Sequence, residues 1–231
     1  MTGKPSSAKA ARRAVPLPRT WDARAARWLV TPLVDTPVTP NHLTTLRLVI
    51  GLAGAFQLAL GGFLHLNVGA LLIVLSNFVD HTDGELARIS GKTSRIGHFY
   101  DLAADALVTV LLFLGMGYGL GGGASGGNWL VAPAVLGGVA GVAVAAIFFL
   151  RMRIEEMAGK AGTKQAFAGG FETEDVLYLL PLVTLTGIVA PFVVAASIGA
   201  PLFALWVVFA YFRVTRRVRP AKNNRQAWIS R

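Results

Sequence analysis

Apolar residues occupy six long stretches of this chain, and most of its polar residues lie in the segments between them. The stretches cover residues 42–61, 64–87, 97–120, 129–152, 175–190 and 192–212. An α-helix needs about 20 residues to cross the ~30 Å hydrocarbon core of a bilayer, and all but the fifth stretch reach that length. The pattern therefore predicts an all-α, polytopic membrane protein with six transmembrane helices.

A further helix is predicted before the first stretch, in the segment WDARAARWLVTPLV. Trp21, Ala25, Trp28 and Leu29 recur there at helical spacing, while arginines take the other faces. Such an amphipathic helix fits the membrane interface, and packing on the protein's own surface is the alternative. The predicted organisation is an arm with this interfacial helix at 1–40, a six-helix transmembrane domain at 41–213 and a basic tail at 214–231.

The basic residues indicate how the chain is oriented. All 22 Lys and Arg lie before the first stretch or near its start, between the second and third, between the fourth and fifth, or after the sixth. Because Lys and Arg are enriched in cytoplasmic loops, both termini are predicted to be cytoplasmic, as an even number of spans requires. The location expected for such a chain is a bacterial inner membrane.

Composition narrows the class of partner. Hydrophobic residues make up 54% of the chain, and its net charge of +10 is a value that nucleic-acid-binding proteins also have. In a membrane protein, however, a basic cytoplasmic rim attracts anionic lipid headgroups. We therefore expect membrane lipids, and no nucleic acid, as partners. The lack of cysteine excludes disulfides and thiolate metal sites.

Four aspartates, Asp80, Asp83, Asp101 and Asp105, interrupt the second and third apolar stretches. A carboxylate at the centre of a spanning helix costs roughly 2.5 to 3.5 kcal/mol on insertion scales, so a functional reason is expected. At about 100° per residue, each pair of aspartates forms one stripe on its helix. If the two helices pack as antiparallel neighbours through the turn at 89–96, all four carboxylates face one cavity at the cytoplasmic end.

Close carboxylates repel one another unless cations lie between them. Oxygen ligands without cysteine, and without a histidine pair at ligand spacing, favour Mg²⁺ or Mn²⁺ over Zn²⁺. Gly84, Ala87 and Gly97 lie on the aspartate faces and leave the backbone open, and Arg88 offers a forked cation suited to phosphate. Together these features predict a pyrophosphate-containing substrate, with a second metal ion stabilising both the attacking and the leaving oxygen.

The eight residues of this constellation resemble a known family. They match the pattern DxxDGxxARx8GxxxDxxxD of the CDP-alcohol phosphotransferases, also called class I CDP-alcohol phosphatidyltransferases, in every specified residue and spacing. The matching residues are Asp80, Asp83, Gly84, Ala87, Arg88, Gly97, Asp101 and Asp105. The six spans, the interfacial helix and the segment PNHLTTLR before the motif are also similar to that family.

The resemblance implies a role for each matching residue. Asp80, Asp83 and Asp101 would be metal ligands, and Asp105 would join the metal site and deprotonate the acceptor hydroxyl. The cytidine pocket would be lined by Gly84, Ala87 and Gly97, and the diphosphate would be bound by Arg88. The implied reaction transfers a substituted phosphate from a CDP-alcohol, here CDP-diacylglycerol, to a second alcohol in phospholipid biosynthesis. It releases CMP, requires Mg²⁺ or Mn²⁺ as two ions, and is usually carried out by homodimers.

The acceptor alcohol is less well specified. At the cytoplasmic end of the fourth stretch, Arg151, Arg153 and Lys164 could bind an acceptor phosphate or serve as cytoplasmic anchors. Negative charges at the start of the fifth stretch suit a helix N-terminus or, facing the cavity, a cationic or polyhydroxyl acceptor; they are Glu172, Glu174 and Asp175. By helical phase, Glu85 points about 140° from Asp80, which predicts a loop or solvent contact.

Two other functions fit parts of the sequence. An intramembrane prenyltransferase also uses aspartates and Mg²⁺ to hold a diphosphate, but it needs more spans and a second aspartate-rich loop. A transporter also carries intramembrane carboxylates, yet it would spread them along the crossing pathway. The small residues Gly137, Gly141 and Ala145 predict close helix packing on the fourth span, either within the bundle or between two copies.

Overall fold

The structure, a computed structural model, describes residues 18, 21–122, 131–158 and 177–229. Its regular elements in these ranges are all helical, and five of the helices are long. In chain order the helices are α1 Trp21–Val30, a 3-10 helix Thr31–Asp35, α2 Pro40–Leu60, α3 Gly62–Ser90, α4 Arg95–Gly122, α5 Pro133–Ala158, α6 Leu180–Leu185 and α7 Val189–Ile229.

Within these described ranges, five helices are long and apolar enough to cross a membrane, namely α2, α3, α4, α5 and α7. The prediction of an all-α, polytopic membrane protein is confirmed. The count of six spans stays a prediction, because part of the fifth predicted stretch lies outside the described residues. In the described part of this stretch, the prediction of a continuous helix to residue 190 was wrong. α6 ends at Leu185, and a turn with Gly187 at φ +72° separates it from α7.

The segment from Tyr178 to Val189, which contains α6, packs along α3. At one end, the Tyr178 hydroxyl donates a hydrogen bond to Asp22 Oδ2 at 3.3 Å. Further along, the Thr184 hydroxyl donates to Asn67 Oδ1 at 2.9 Å, near the start of α3. Val189 is then buried in the same apolar core as Leu58, which lies near the end of α2. The segment therefore passes through much of the thickness of the bundle.

α2 is the central helix of the site-bearing half of the bundle. Both α3 and α4 pack extensively on α2 and only marginally on each other. The expectation that α3 and α4 are direct packing neighbours was therefore wrong, because α2 lies between them. Glycines allow this arrangement: a Cβ on Gly54 would lie 3.1 Å from the carbonyl oxygen of Gly69, and one on Gly51 would lie 2.7 Å from Val108 Cγ2.

Replacing Gly69 by valine is expected to destabilise the bundle, because its Cβ would lie 2.9 Å from the carbonyl oxygen of Gly54 and α3 would have to move away from α2. Overpacking of this kind costs about 1–3 kcal/mol. The measurement is thermal unfolding of the purified protein in detergent. Gly199→Val is the matched control, because a Cβ there meets nothing within 4 Å. Equal unfolding temperatures for the two variants would contradict this account of the packing.

The other helices complete the two sides of the bundle. The small-residue stripe of α5 packs within the chain, since a Cβ on Gly141 would lie 2.9 Å from the Cα of Val110 on α4.

α1 is present where the sequence predicts it and packs on α3. It buries Asp22 and two alanines, while Trp28 remains 80% exposed. This exposed tryptophan agrees with the predicted interfacial face, whose depth in a membrane stays a prediction.

Candidate active site

A single buried arginine on α2, Arg47, lies among all four aspartates. It is 2% exposed, although it stands in a helix of membrane-spanning length. Its guanidinium nitrogens form four ion pairs, with N···O distances of 3.1 Å to Asp80, 3.6 Å to Asp83, 2.7 Å to Asp101 and 2.6 Å to Asp105. The carboxylates are therefore gathered in one place, with a positive charge at their centre.

Helical spacing explains how each pair of aspartates reaches this point. Residues three or four apart lie on the same face of a helix. Asp80 and Asp83 accordingly share one face of α3, and Asp101 and Asp105 share one face of α4. Each face is turned toward α2, which carries Arg47. The sequence predicted the two stripes, but they converge through α2 and not by direct packing of α3 on α4.

Arg47 was not among the predicted site residues and was grouped with the basic residues of the cytoplasmic side. A signal was available, because Arg47 lies inside the first apolar stretch, at 42–61. An ionisable residue within a span faces the bundle interior and pairs with an opposite charge in most membrane proteins. The aspartates were the obvious partners for it.

The aspartate cluster fits a divalent cation. One ligand oxygen from each of Asp80, Asp101 and Asp105 lies within 4.8 Å of the others. Asp83 stands slightly apart from this group, and its Oδ2 accepts a hydrogen bond from the Thr44 hydroxyl at 2.7 Å. Carboxylate oxygens are the ligands that Mg²⁺ and Mn²⁺ prefer. The donor set is therefore the one that the sequence analysis expected for these metals.

The four residues expected to bind a CDP group differ in their surroundings. A Cβ on Gly84 would meet only the Arg88 Nη2 atom, at 3.9 Å, so the space beside Gly84 is open. Ala87 is half-buried, and the Arg88 side chain is 63% exposed. Gly97 is enclosed instead, because its Cβ would lie 2.7 Å from Asn41 Oδ1 on α2. Gly97 thus has a packing reason to be glycine in addition to any contact with substrate.

Glu85 contradicts the expectation of a loop or solvent contact. Its side chain is fully buried and accepts a hydrogen bond from Arg27 Nε at 2.6 Å. It also pairs with Arg88, three residues along α3. The prediction was wrong because α1 covers this face of α3 and shields Glu85 from water. A second contact between α1 and α3 joins Asp22 Oδ2 to His81 Nε2, at 3.0 Å.

The residues considered for an acceptor site are only partly described. The Arg151 guanidinium lies 5.7 Å from the centroid of the Phe203 ring, on α7. Arg153 donates a hydrogen bond to Glu156 Oε2 at 2.6 Å. Four of the residues considered for this site lie outside the described ranges, namely Lys164, Glu172, Glu174 and Asp175.

Comparison with known proteins gives a consistent family. The family described as CDP-alcohol phosphatidyltransferase matches residues 37–212 of the chain. The chain is 32% identical over 169 residues to the bifunctional IPC transferase and DIPP synthase of Rubrobacter xylanophilus, covering 73% of this chain and 35% of the relative. It is 30% identical over 87 residues to the archaetidylinositol phosphate synthase of Pyrococcus horikoshii, covering 38% of this chain and 45% of the relative. The aligned regions thus span less than half of each of these relatives.

Solved structures share the fold. The crystal structure of Mycobacterium tuberculosis phosphatidylinositol phosphate synthase with CDP-DAG bound aligns with a TM-score of 0.54 and 22% identity, covering 84% of this chain and 94% of that chain. A second structure of that protein, in complex with manganese and citrate, aligns with a TM-score of 0.54 and 21% identity, covering 84% of this chain and 88% of that one.

Proposed function

Because the chain belongs to the CDP-alcohol phosphatidyltransferase family, we propose that it transfers a substituted phosphate from a CDP-alcohol to the hydroxyl of an acceptor alcohol, with release of CMP. The observation that carries this proposal is the convergence of Asp80, Asp83, Asp101 and Asp105 on one point inside the bundle. The family match also accounts for residues 37–212 as a unit, whereas the prenyltransferase and transporter alternatives rest on isolated features.

The four aspartates would hold Mg²⁺ or Mn²⁺, as two ions. Support comes from their all-oxygen donor set, from the 4.8 Å spread of three of their ligand atoms, and from the manganese in the complex of the Mycobacterium tuberculosis protein. When bound, the metal ions would neutralise charge on the diphosphate and stabilise the attacking and leaving oxygens of an in-line displacement.

The side chains of this protein would supply binding and proton transfer. Asp105 would take the proton of the acceptor hydroxyl, as the oxygen of that hydroxyl attacks the phosphorus that carries the substituent. The bond from this phosphorus to the bridging oxygen then breaks, and CMP leaves with that oxygen. Arg88 would hold the diphosphate, to which its 63% exposed side chain is accessible. Gly84, Ala87 and Gly97 would line the nucleotide pocket.

We propose CDP-diacylglycerol as the donor. The long apolar helices would let its acyl chains stay in the bilayer while its nucleotide enters the aspartate site. The Mycobacterium tuberculosis protein that shares this fold was crystallised with CDP-DAG bound. A lipid-linked nucleotide and a soluble alcohol would then meet at the membrane surface, which explains why this reaction needs a membrane protein.

The acceptor is proposed to carry a phosphate group of its own. Two of the similar proteins are synthases of inositol phosphate lipids by name, and Arg151 and Arg153 of this chain lie at the end of α5. Lys164 would join them. Alternatively, these residues anchor the chain at the cytoplasmic surface. A preference of the enzyme for an unphosphorylated alcohol would favour this anchoring role.

The orientation proposed is that both termini and the site face the cytoplasm of a bacterial cell, with the chain in the inner membrane as a homodimer. The basic residues support this orientation, since all those outside the predicted spans fall in segments that six spans would place on one side. The segment from Tyr178 to Val189 adds support, because it runs along α3 from the level of Asp22 toward the opposite end of the bundle. It would thus serve as the short fifth span that places both termini on the same side of the membrane.

The proposed function predicts that CMP release depends on both a divalent metal and an acceptor. Purified protein is given CDP-diacylglycerol with Mg²⁺ or Mn²⁺ and a panel of phosphorylated and unphosphorylated alcohols, and CMP is measured by chromatography. EDTA is expected to remove the activity, and excess Mn²⁺ is expected to restore it. Folded protein that releases no CMP with any acceptor of the panel would contradict the proposal.

A further inference from the structure

We propose that Arg47 is a positioning residue that pre-organises the four aspartates for divalent metal ions. This inference rests on the proposed function, because it assumes that the cluster binds metal. Arg47 belongs to α2, outside the segment that carries the aspartates, and it would act through the carboxylates without contacting the reacting atoms.

The geometry of the guanidinium suits this role. The planar fork of arginine presents donors in fixed directions, whereas lysine offers one compact charge. In Arg47, Nη1 donates to Asp105 Oδ1 at 2.6 Å and Nη2 donates to Asp101 Oδ1 at 2.7 Å. Nε lies on the other side of the fork, 3.1 Å from Asp80 Oδ1 and 3.6 Å from Asp83 Oδ2. One side chain therefore contacts carboxylates from both α3 and α4.

The contacts of Arg47 leave part of each carboxylate available. Arg47 uses the Oδ1 atoms of Asp80, Asp101 and Asp105. Among the described residues, the Oδ2 atoms of these three accept no hydrogen bond. Each carboxylate thus keeps one oxygen for another cation. Formal charge leads to the same conclusion, since four ionised carboxylates and one guanidinium would sum to three negative charges at the site.

Arg47 is itself held in place from several directions. Its Nη2 also donates to the backbone oxygen of Asp101 at 2.8 Å. Its own carbonyl oxygen accepts a hydrogen bond from the buried Ser76 hydroxyl of α3, at 2.8 Å. One turn before it, Thr44 holds Asp83. α2 therefore acts as a scaffold that fixes the orientation of the carboxylates on both neighbouring helices.

Two other roles for Arg47 predict different properties. A cytoplasmic anchor would extend toward the headgroups, whereas this side chain is 2% exposed. A guanidinium that occupied the metal position would compete with the metal, so its removal would tighten metal binding. A positioning residue has the opposite effect, because groups that orient metal ligands commonly contribute 10- to 100-fold to metal affinity.

The test is Mn²⁺ binding, measured on the purified full chain from the electron paramagnetic resonance signal of free Mn²⁺. Both Arg47→Gln and Arg47→Lys are expected to bind Mn²⁺ at least about tenfold more weakly than the wild type. Arg47→Lys keeps the charge among the carboxylates and so keeps the test valid if the glutamine variant does not fold. Arg24→Gln is the control, since it removes one exposed positive charge on α1 and should leave Mn²⁺ affinity unchanged.

The outcomes separate this inference from the proposed function. If the wild type binds Mn²⁺ and releases CMP, and the folded Arg47 variants bind Mn²⁺ as tightly as the wild type or more tightly, the positioning role is overturned and the proposed function stands. A wild-type chain that neither binds Mn²⁺ nor releases CMP would overturn the proposed function, and the inference with it.

Discussion

The Asp105→Asn variant is expected to lose CMP release by at least about 10³-fold, because it removes the group proposed both as a metal ligand and as the base for the acceptor hydroxyl. General-base catalysis alone contributes typically about 10²- to 10⁴-fold. The substitution preserves shape, and the amide oxygen of asparagine can still accept the hydrogen bond that Arg47 Nη1 gives to Asp105 Oδ1 at 2.6 Å. The variant should therefore fold, so the measured loss reports on chemistry. The measurement is the initial rate of CMP release at saturating Mn²⁺ and donor.

Asp35→Asn is the matched control for this experiment. Asp35 is an exposed carboxylate at the end of the 3-10 helix, outside the aspartate cluster. The same chemical change there should leave the rate within about twofold of the wild type, since Asp35 belongs neither to the proposed metal site nor to the proposed nucleotide pocket. Asp105→Asn protein that is folded and retains more than a tenth of the wild-type rate would contradict the role assigned to Asp105.

The Gly84→Val variant is expected to raise the KM for CDP-diacylglycerol by about 100-fold, since small misplacements of substrate can cost that much. In the absence of substrate, a Cβ at Gly84 would meet only Arg88 Nη2, at 3.9 Å. The free protein therefore has space beside Gly84 where the new side chain begins, and the expected defect arises when a nucleotide enters the same space. Gly84→Ala should give a smaller increase in KM, in proportion to the volume added.

Thermal unfolding separates this effect from a loss of structure. Gly84→Val should unfold close to the wild-type temperature, as should Gly199→Val, which also points into open space. Gly199 lies on α7, outside the proposed site, so its variant should keep the wild-type KM. A folded Gly84→Val protein with an unchanged KM for CDP-diacylglycerol would show that the nucleotide does not approach this face of α3.

Much of this site follows from local sequence patterns. The long apolar stretches predicted membrane helices, because length and hydropathy are properties of each segment alone. The spacing of Asp80 from Asp83, and of Asp101 from Asp105, predicted one stripe on each helix for the same reason. These are the parts of the fold that helical periodicity determines.

The remaining features depend on which helices pack together, and periodicity does not encode this. Arg47 becomes the centre of the cluster only because α2 lies between α3 and α4, where Gly51 and Gly54 allow close approach. Glu85 is buried only because α1 covers it and supplies Arg27. Likewise, the space beside Gly97 is filled by Asn41 from another helix. In each case the partner is distant in sequence.

Quantitative mass spectrometry of the lipids, together with measurement of CMP, tests the proposed transfer of a phosphatidyl group to an alcohol most directly. The purified protein is incubated with CDP-diacylglycerol, Mn²⁺ and a mixed pool of soluble alcohols that includes phosphorylated ones. We predict that one new phosphodiester lipid appears in an amount equal to the CMP released, and that both are absent when either Mn²⁺ or the alcohols are omitted. CMP that appears without any alcohol and is matched by phosphatidic acid, or a new lipid formed without CMP, would contradict the account.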